Sequence, residues 1–444
     1  LLRAGQARGM GLVDKLVRHR DMLRWEGRKA VLAAKKSSPA SWTKSIMANG
    51  LIRPTIAKRM RAEVAKKARP EHYPAPYALI DLFEKKGDNW REMSRGEAGG
   101  FVPVMGTSTA KNLRRVFFLS ESLKKQGVRG AEKPTFARVH VVGAGVMGGD
   151  IAAWCALRGM GVTLQDLDME RIKPALDRAK SLFKKRLRKK VEIDNAVARL
   201  EADVTGKGIA RADVIIEAVV EKLEVKQSIF RDAELRAKPG AILATNTSSI
   251  ELERIAEGMA NPARLIGLHF FNPVAQLPLV EVIRTAATSD ATLAQALDFL
   301  KAIDKTPVVV RDGLGFFTSR IVTTYSSETM NLLAEGVSPQ LIDNAATNAG
   351  FSIGPASLCD LTTMPLLKDI FASMRGDGNR ISDRGSVARE TVGKLADAGR
   401  VGKVKGNGIY SYHGDTRDPW DGIAACLGTR PSTLDEATVR ERLL

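Results

Sequence analysis

The chain has 444 residues, 44% of them hydrophobic, enough for two or three cored domains at about 100–200 residues each. Its net charge of +19 is lopsided: residues 1–130 hold 28 Lys/Arg against 11 Asp/Glu, and the rest of the chain 41 against 39. That excess comes without zinc-finger spacing or aromatic–basic interleaving, so a nucleic-acid partner is not expected, and no apolar run reaches the ~18 residues of a membrane span. Cys155, Cys359 and Cys426 are far apart and lack metal-ligand spacing, which fits a reducing compartment. Leu1-Leu2-Arg3 does not read as a signal peptide.

In chain order, Gly11–Val17 is a short apolar stretch. Residues 21–76 are basic and interrupted by Pro39, Pro54, Pro70, Pro74 and Pro76, a pattern of helical pieces and turns. Ala78–Phe83 opens another helix, Gly99-Gly100 is expected to break the chain, and Thr107–Lys125 carries Leu113, Val116, Phe117, Leu119 and Leu123 at the spacing of one amphipathic helix. Gly127–Pro134 reads as a domain boundary. From Ala137 strands and helices alternate: strands at 138–142, 162–165, 214–219, 241–245, 265–269 and 279–283, with helices at 146–158, 169–190 and 223–237. Such alternation predicts an α/β doubly wound parallel sheet covered on both faces. After Asp312 the pattern is mostly helical to about Gly399, which predicts a second, all-α domain.

Gly143-Ala144-Gly145-Val146-Met147-Gly148 is a G-x-G-x-x-G set between an apolar strand and a helix. Alone the pattern is weak; in this context Gly143 permits the turn, Gly145 lets backbone approach a pyrophosphate, and Gly148 lets the helix lie close to the strand. The helix start offers free N–H groups to phosphates. Asp166 ends the second strand, 18 residues beyond Gly148. A carboxylate there accepts from ribose hydroxyls and repels a 2′-phosphate, favouring NAD over NADP; otherwise Asp166 is a helix N-cap.

His269 ends one apolar strand, and Glu281 lies inside another, Leu279-Val280-Glu281-Val282-Ile283. A carboxylate in such a run is costly unless paired, and an imidazole is a natural partner. Hydride removal from an alcohol also requires loss of a proton, a task suited to histidine near neutral pH. Taken singly, His269 reads as a satisfied core histidine and Glu281 as half of a structural ion pair. Asn246-Thr247-Ser248-Ser249 follows the strand at 241–245, where ligands bind in parallel sheets. Ser248 is placed to contact a reacting oxygen, or one of the two serines caps a helix expected at Ile250–Gly258.

Together these residues resemble the 3-hydroxyacyl-CoA dehydrogenase family from about Ala137 to Tyr412. The resemblance is carried by Gly143–Gly148, Asp166, Ile216–Glu221, Asn246–Ser249, Gly267–Pro273, Leu279–Ile283 and Asp312–Arg320. It implies a Rossmann domain followed by a helical domain that closes the substrate cleft and supports dimer contacts. It also implies oxidation of L-3-hydroxyacyl-CoA with NAD, with no metal. His269 would be the base, Glu281 its orienting partner and Ser248 a contact to the substrate oxygen and to the cofactor region. Glu221, Lys226, Asn246 and Asn272 would line the cofactor site. Ser319 stands before Arg320 where the family often has an Asn that contacts the substrate, and would be its shorter catalytic substitute or mark a subgroup; Leu314 replaces a common Pro. A cofactor-side lysine of the family aligns with Val404, leaving Lys403 and Lys405 as alternatives.

Gly11–Val17 resembles the tail of an enoyl-CoA hydratase domain. His72–Pro76 and Phe101–Pro103 resemble the connector of bacterial multifunctional fatty-acid oxidation proteins, and Ser432–Leu444 the opening of their second helical repeat. The implied division is a hydratase tail (1–20), a connector (21–134), an NAD-binding domain (135–312), a helical domain (313–430) and the start of a further repeat (431–444). Hydratase activity is not expected. The resemblance further implies an acyl-CoA substrate, a thiolase subunit or second copy as partner, and a bacterial cytoplasmic location. Lys184, Lys185, Arg186, Arg188, Lys189 and Lys190 suit CoA phosphates, or form a solvated helix end. Alternative readings are a short-chain 3-hydroxybutyryl-CoA dehydrogenase and a catalytically impaired CoA- and NAD-binding module, which turnover separates.

Overall fold

The computed structural model describes residues 4–10, 12–17, 19–33, 49–87, 89–124, 136–373, 385–414 and 416–444. Gly11 and the boundary expected at Gly127–Pro134 lie outside them. The chain divides into two units, Leu1–Arg115 and Val116–Leu444.

The first unit is helical. Its main helices are Arg53–Ala65, Pro74–Lys86 and Trp90–Met105. Pro54 and Pro74 stand in the first turns of the first two, where a proline has no needed N–H to lose. Ala57 and Ile80 are buried between neighbours, and Arg61 bridges Asp81 and Glu84 at 2.5 Å each. Contrary to expectation, Gly99-Gly100 does not break the chain: the helix Trp90–Met105 runs through both glycines and Pro103. Each glycine costs a helix about 1 kcal/mol. Here Asn89 caps the start, and Gly96 sits where a Cβ would lie 2.3 Å from Leu82 Cδ1, so the helices pack closely. The helix Ser108–Lys124, which runs across the division at Arg115, matches the amphipathic stretch; its Leu113, Val116, Phe117 and Leu119 are exposed.

In the second unit an eight-stranded sheet has the order β3-β2-β1-β4-β5-β6-β7-β8. The strands are β1 (Arg138–Val142), β2 (Gly161–Gln165), β3 (Leu200–Ala202), β4 (Val214–Glu217), β5 (Ile242–Thr245), β6 (Leu265–Phe270), β7 (Leu279–Arg284) and β8 (Thr306–Arg311). Strands β1 to β6 pair in parallel. Their central members are buried on both faces, with Val214 and Ile216 facing one core and Ile215 the other, as expected where helices cover both sides. The sheet is not wholly parallel. β7 pairs antiparallel with β6, and β8 follows β7. A parallel crossover needs about a dozen residues or more, and the link 271–278 is too short for one. This reversal sets His269 opposite Glu281 in register.

The basic helix expected over 169–190 is two helices, Met169–Arg186 and Lys190–Ala198, separated at Leu187, which is extended and packs against the core. Lys184, Lys185 and Arg186 close the first helix, where cations favourably meet its C-terminal dipole. Beyond β8, helices Thr318–Ala334, Pro339–Asn348, Pro355–Thr362, Met364–Ser373 and Gly385–Asp397 surround a separate core. That region is not purely helical. Tyr410–His413 and Thr416–Pro419 form a hairpin, seated by Asp360, whose carboxylate accepts from the Ile409 and Tyr410 N–H groups. The helix Glu436–Leu443 buries Val439 and Leu443 in the same core.

Candidate active site

Most of the expected site residues lie at the C-terminal ends of the parallel strands, whereas Glu281 is inside β7 and Lys226 and Ser319 are on helices. At the end of β1, Gly143 has φ +104°, and a Cβ on it would lie 2.5 Å from the Ala218 carbonyl oxygen. On Gly148 a Cβ would sit 1.9 Å from the Gly143 oxygen, so the helix Val146–Leu157 reaches this closeness only with glycine there. Around Gly145 there is open space, and Val146 beside it is exposed while Met147 packs against the core. The turn is therefore tight on its protein side and open on the other, which fits a dinucleotide pyrophosphate. Arg178, which the sequence reading passed over, donates to the Gly145 carbonyl at 3.0 Å.

Asp166 lies just after β2. Its Oδ2 accepts from the Ala144 N–H at 2.7 Å and its Oδ1 from Leu167 N–H, so the carboxylate is fixed against the glycine turn. It is not the cap of the next helix; Asp168 is, accepting from the Arg171 N–H at 2.9 Å. Asp166→Ser is expected to narrow the preference for NADH over NADPH by about tenfold, roughly 1.4 kcal/mol. Steady-state kinetics with each nucleotide would show it, and an unchanged ratio would remove Asp166 from cofactor choice.

A buried ionic cluster follows β4. Lys226 is 1% exposed, and its Nζ lies 2.7 Å from Glu217 and 3.0 Å from Glu221. Glu217, fully buried, also accepts from Val219 N–H and Thr245 Oγ1. Glu221 Oε1 accepts from Thr247 Oγ1, from the Ser248 N–H and hydroxyl, and from the Ser249 hydroxyl. Burial opposes the charge on Glu221, but Lys226 and these bonds outweigh it and hold the carboxyl below its usual range. Lys226 is thus buried and fixes Glu221, which fixes the serine loop. Neither serine caps a helix: the next helix is Leu252–Ala256, with Glu251 at its N-cap position. Ser248 is exposed beyond the end of β5. Asn246 Oδ1 accepts from the Phe270 N–H at 2.9 Å, joining the end of β5 to the residue after His269.

His269 and Glu281 form the centre. His269 Nδ1 lies 2.7 Å from Glu281 Oε2. Phe271 and Phe316 flank the imidazole, with ring centroids at 4.6 Å and 5.9 Å. Glu281 is fully buried. Its Oε1 accepts from the Phe317 and Thr318 N–H groups at the start of the helix Thr318–Ala334, and Oε2 accepts also from Thr318 Oγ1. Burial raises its proton affinity, yet the bonds from His269 and Thr318 prevail and hold it ionised below the usual range. With Nδ1–H given to Glu281, Nε2 is the free basic nitrogen. Ser319 is half-buried in the first turn of the same helix, and Asn272 is exposed beyond β6.

Besides Arg178, two residues were not expected at the site. Thr318 is the neighbour of the residue singled out there, and its link to Glu281 spans 37 positions. Lys305 donates to the Val274 carbonyl and to that of Leu277 at 2.7 Å, holding the loop that follows His269. Burial lowers its pKa to about 8. Near the C-terminal end, Lys403 Nζ lies 5.7 Å from the centre of the Tyr412 ring, and Val404 is exposed.

A glycine-turn α/β sheet with a histidine held against a buried, ionised carboxylate beside it defines a nucleotide-dependent oxidoreductase. Comparison narrows the class. The family profile "3-hydroxyacyl-CoA dehydrogenase, NAD binding domain" matches residues 138–313, and "3-hydroxyacyl-CoA dehydrogenase, C-terminal domain" matches 315–412. The fatty acid oxidation complex subunit alpha of Shewanella halifaxensis (strain HAW-EB4) is 32% identical over 452 residues, covering 98% of this chain and 63% of that protein. The chain therefore spans less than two thirds of the length of that relative. The crystal structure of FadB2 from M. tuberculosis is 30% identical with a TM-score of 0.58, covering 63% of this chain and all (100%) of that one. The (S)-3-hydroxybutyryl-CoA dehydrogenase PaaH1 from Ralstonia eutropha is 29% identical with the same coverage, 63% and 100%, and a TM-score of 0.58. The chain belongs to the 3-hydroxyacyl-CoA dehydrogenase family, and its cofactor is NAD.

Proposed function

We propose that the chain oxidises L-3-hydroxyacyl-CoA thioesters to 3-oxoacyl-CoA in fatty-acid oxidation. The observation that carries this reading is the 2.7 Å contact of His269 Nδ1 with Glu281, beside a glycine turn suited to NAD. NAD, when bound, supplies the hydride acceptor. His269 Nε2 takes the hydroxyl proton of the substrate. Glu281 holds the ring in the tautomer that leaves Nε2 basic, and stabilises the imidazolium once formed. Ser248, on the loop that Glu221 anchors, donates to the oxygen that becomes the carbonyl. Phe271 and Phe316 flank the imidazole and reduce its contact with water.

The thioester's CoA portion is assigned to a groove of about 580 Å³ lined by Arg178, Ser181, Lys185, Arg186 and Gln276. Arg186 already reaches the Ala275 carbonyl at 2.6 Å, which leaves Lys185 as its freer cation. The division into tail, connector, NAD-binding, helical and further-repeat segments is part of the same proposal. So is a thiolase subunit or second copy as partner. Exposed Phe317, Ile321, Leu361 and Leu366 offer apolar surface for such contacts. A cytoplasmic setting accords with three free cysteines. Among the described residues no helix is long and apolar enough to cross a membrane.

The test is stereochemical. With NAD, L-3-hydroxybutyryl-CoA is expected to be oxidised and its D enantiomer left unreacted. Equal use of both enantiomers, or of neither, would overturn the reading.

A further inference from the structure

Thr318 spends both its backbone N–H and its hydroxyl on one carboxylate, that of Glu281, at 2.8 Å each. The hydroxyl lands on Oε2, the same oxygen that faces His269 Nδ1 at 2.7 Å. Hence the imidazole shares its acceptor with a competing donor. We propose that Thr318 is a positioning residue that sets the proton affinity of His269 by dividing the charge of Glu281. This rests on the reading of His269 as the proton acceptor.

The physical argument is one of charge dispersal. A hydroxyl donating to a carboxylate oxygen draws electron density toward itself, in a bond stronger than one between neutral partners. What remains on Oε2 stabilises an imidazolium less than an unshared oxygen would. The site amplifies this effect because Glu281 is fully buried, where solvent does not replace a lost donor. Among the described residues, His269 of β6 is the titratable side chain in contact with Glu281. Its register partner on β8 is Val308, and the segment at the helix start contributes Phe316, Phe317 and Thr318, all uncharged. The link also couples the sheet to the helical region: the threonine opens the helix Thr318–Ala334, while its acceptor belongs to β7.

Thr318→Val removes the hydroxyl and keeps the branched shape and the N–H bond. Without the competing donor, Glu281 holds the imidazolium more tightly. The limb of the rate profile that reports the base then moves to higher pH, by about 0.5–1 unit for one charge-assisted bond. Oxidation of the hydroxy substrate therefore weakens at a pH where the parent protein is still active, and reduction of the oxo substrate persists to higher pH. Thr318→Ser restores the parent profile. The ring proton of His269, followed by NMR in histidine-labelled protein, moves in the same direction without any turnover. That second readout separates this inference from the proposed function, because it is informative even if no acyl-CoA is turned over. If Thr318→Val does not fold, Thr318→Ser against Thr318→Ala gives the same contrast. An upward shift in the hydroxyl-free variant, reversed by serine, supports the proposal. A limb and an imidazole titration that stay in place or move down, with only thermal stability altered, would overturn it.

Discussion

Replacing His269 by alanine lowers turnover about 10²- to 10⁴-fold while NADH binding is kept, because general-base catalysis contributes a factor of that order. The fold tolerates this change for a reason visible in the site. Glu281 retains three donors after the imidazole is gone: the Phe317 N–H, the Thr318 N–H and the Thr318 hydroxyl. The carboxylate is therefore not stranded, and the glycine turn lies on another strand, β1. Parallel measurement of kcat and of the NADH dissociation constant checks both halves of the expectation. Turnover within a few-fold of the parent protein would end the assignment of His269 as the base. Loss of NADH binding would show that the histidine supports the cofactor pocket instead.

The largest structural effect is expected at Lys226. Lys226→Met keeps most of the side-chain volume and removes the only cation in contact with Glu217 among the described residues, where the two lie 2.7 Å apart. Both are essentially inaccessible to water. Breaking a buried pair by deleting one partner costs about 3–5 kcal/mol, since the other charge is left uncompensated. Glu217 keeps its bonds from Val219 and Thr245, which places the loss toward the lower end of that range. The same change frees Glu221, the anchor of the Ser248 loop, so substrate affinity should fall as well. Chemical denaturation measures the first effect and KM the second. A stability loss below about 1 kcal/mol, the scale of a surface ion pair, would contradict the buried-cluster account.

Much of this site could be read directly from local sequence. The glycine turn is legible because three glycines at fixed spacing between a strand and a helix meet three separate steric demands, and the contacts at Gly143 and Gly148 show two of them. The pairing of His269 with Glu281 is legible because a carboxylate inside an apolar strand needs a partner. What local pattern does not carry is direction and distance. The reversal of β7 depends on the length of a link, not on strand composition. The donors on Glu281 come from a helix start 36 and 37 positions away, and nothing near Glu281 in sequence announces them. Lys226, which the family resemblance sets at the cofactor site, is buried against Glu217, and nothing in the local pattern announces that burial. Gly99-Gly100 reads as a break because glycine disfavours helix locally, whereas capping and the close approach at Leu82 prevail in the folded chain. The hairpin Tyr410–His413/Thr416–Pro419 likewise depends on Asp360, far back in the sequence.

The most direct measurement is nicotinamide absorbance during reduction of acetoacetyl-CoA, with NADH and NADPH compared side by side. Rapid loss of the NADH signal and little use of NADPH are expected, since a carboxylate fixed at the end of β2 repels a 2′-phosphate. Turnover with NADPH at a similar rate, or intact NADH binding without any turnover, would contradict that expectation.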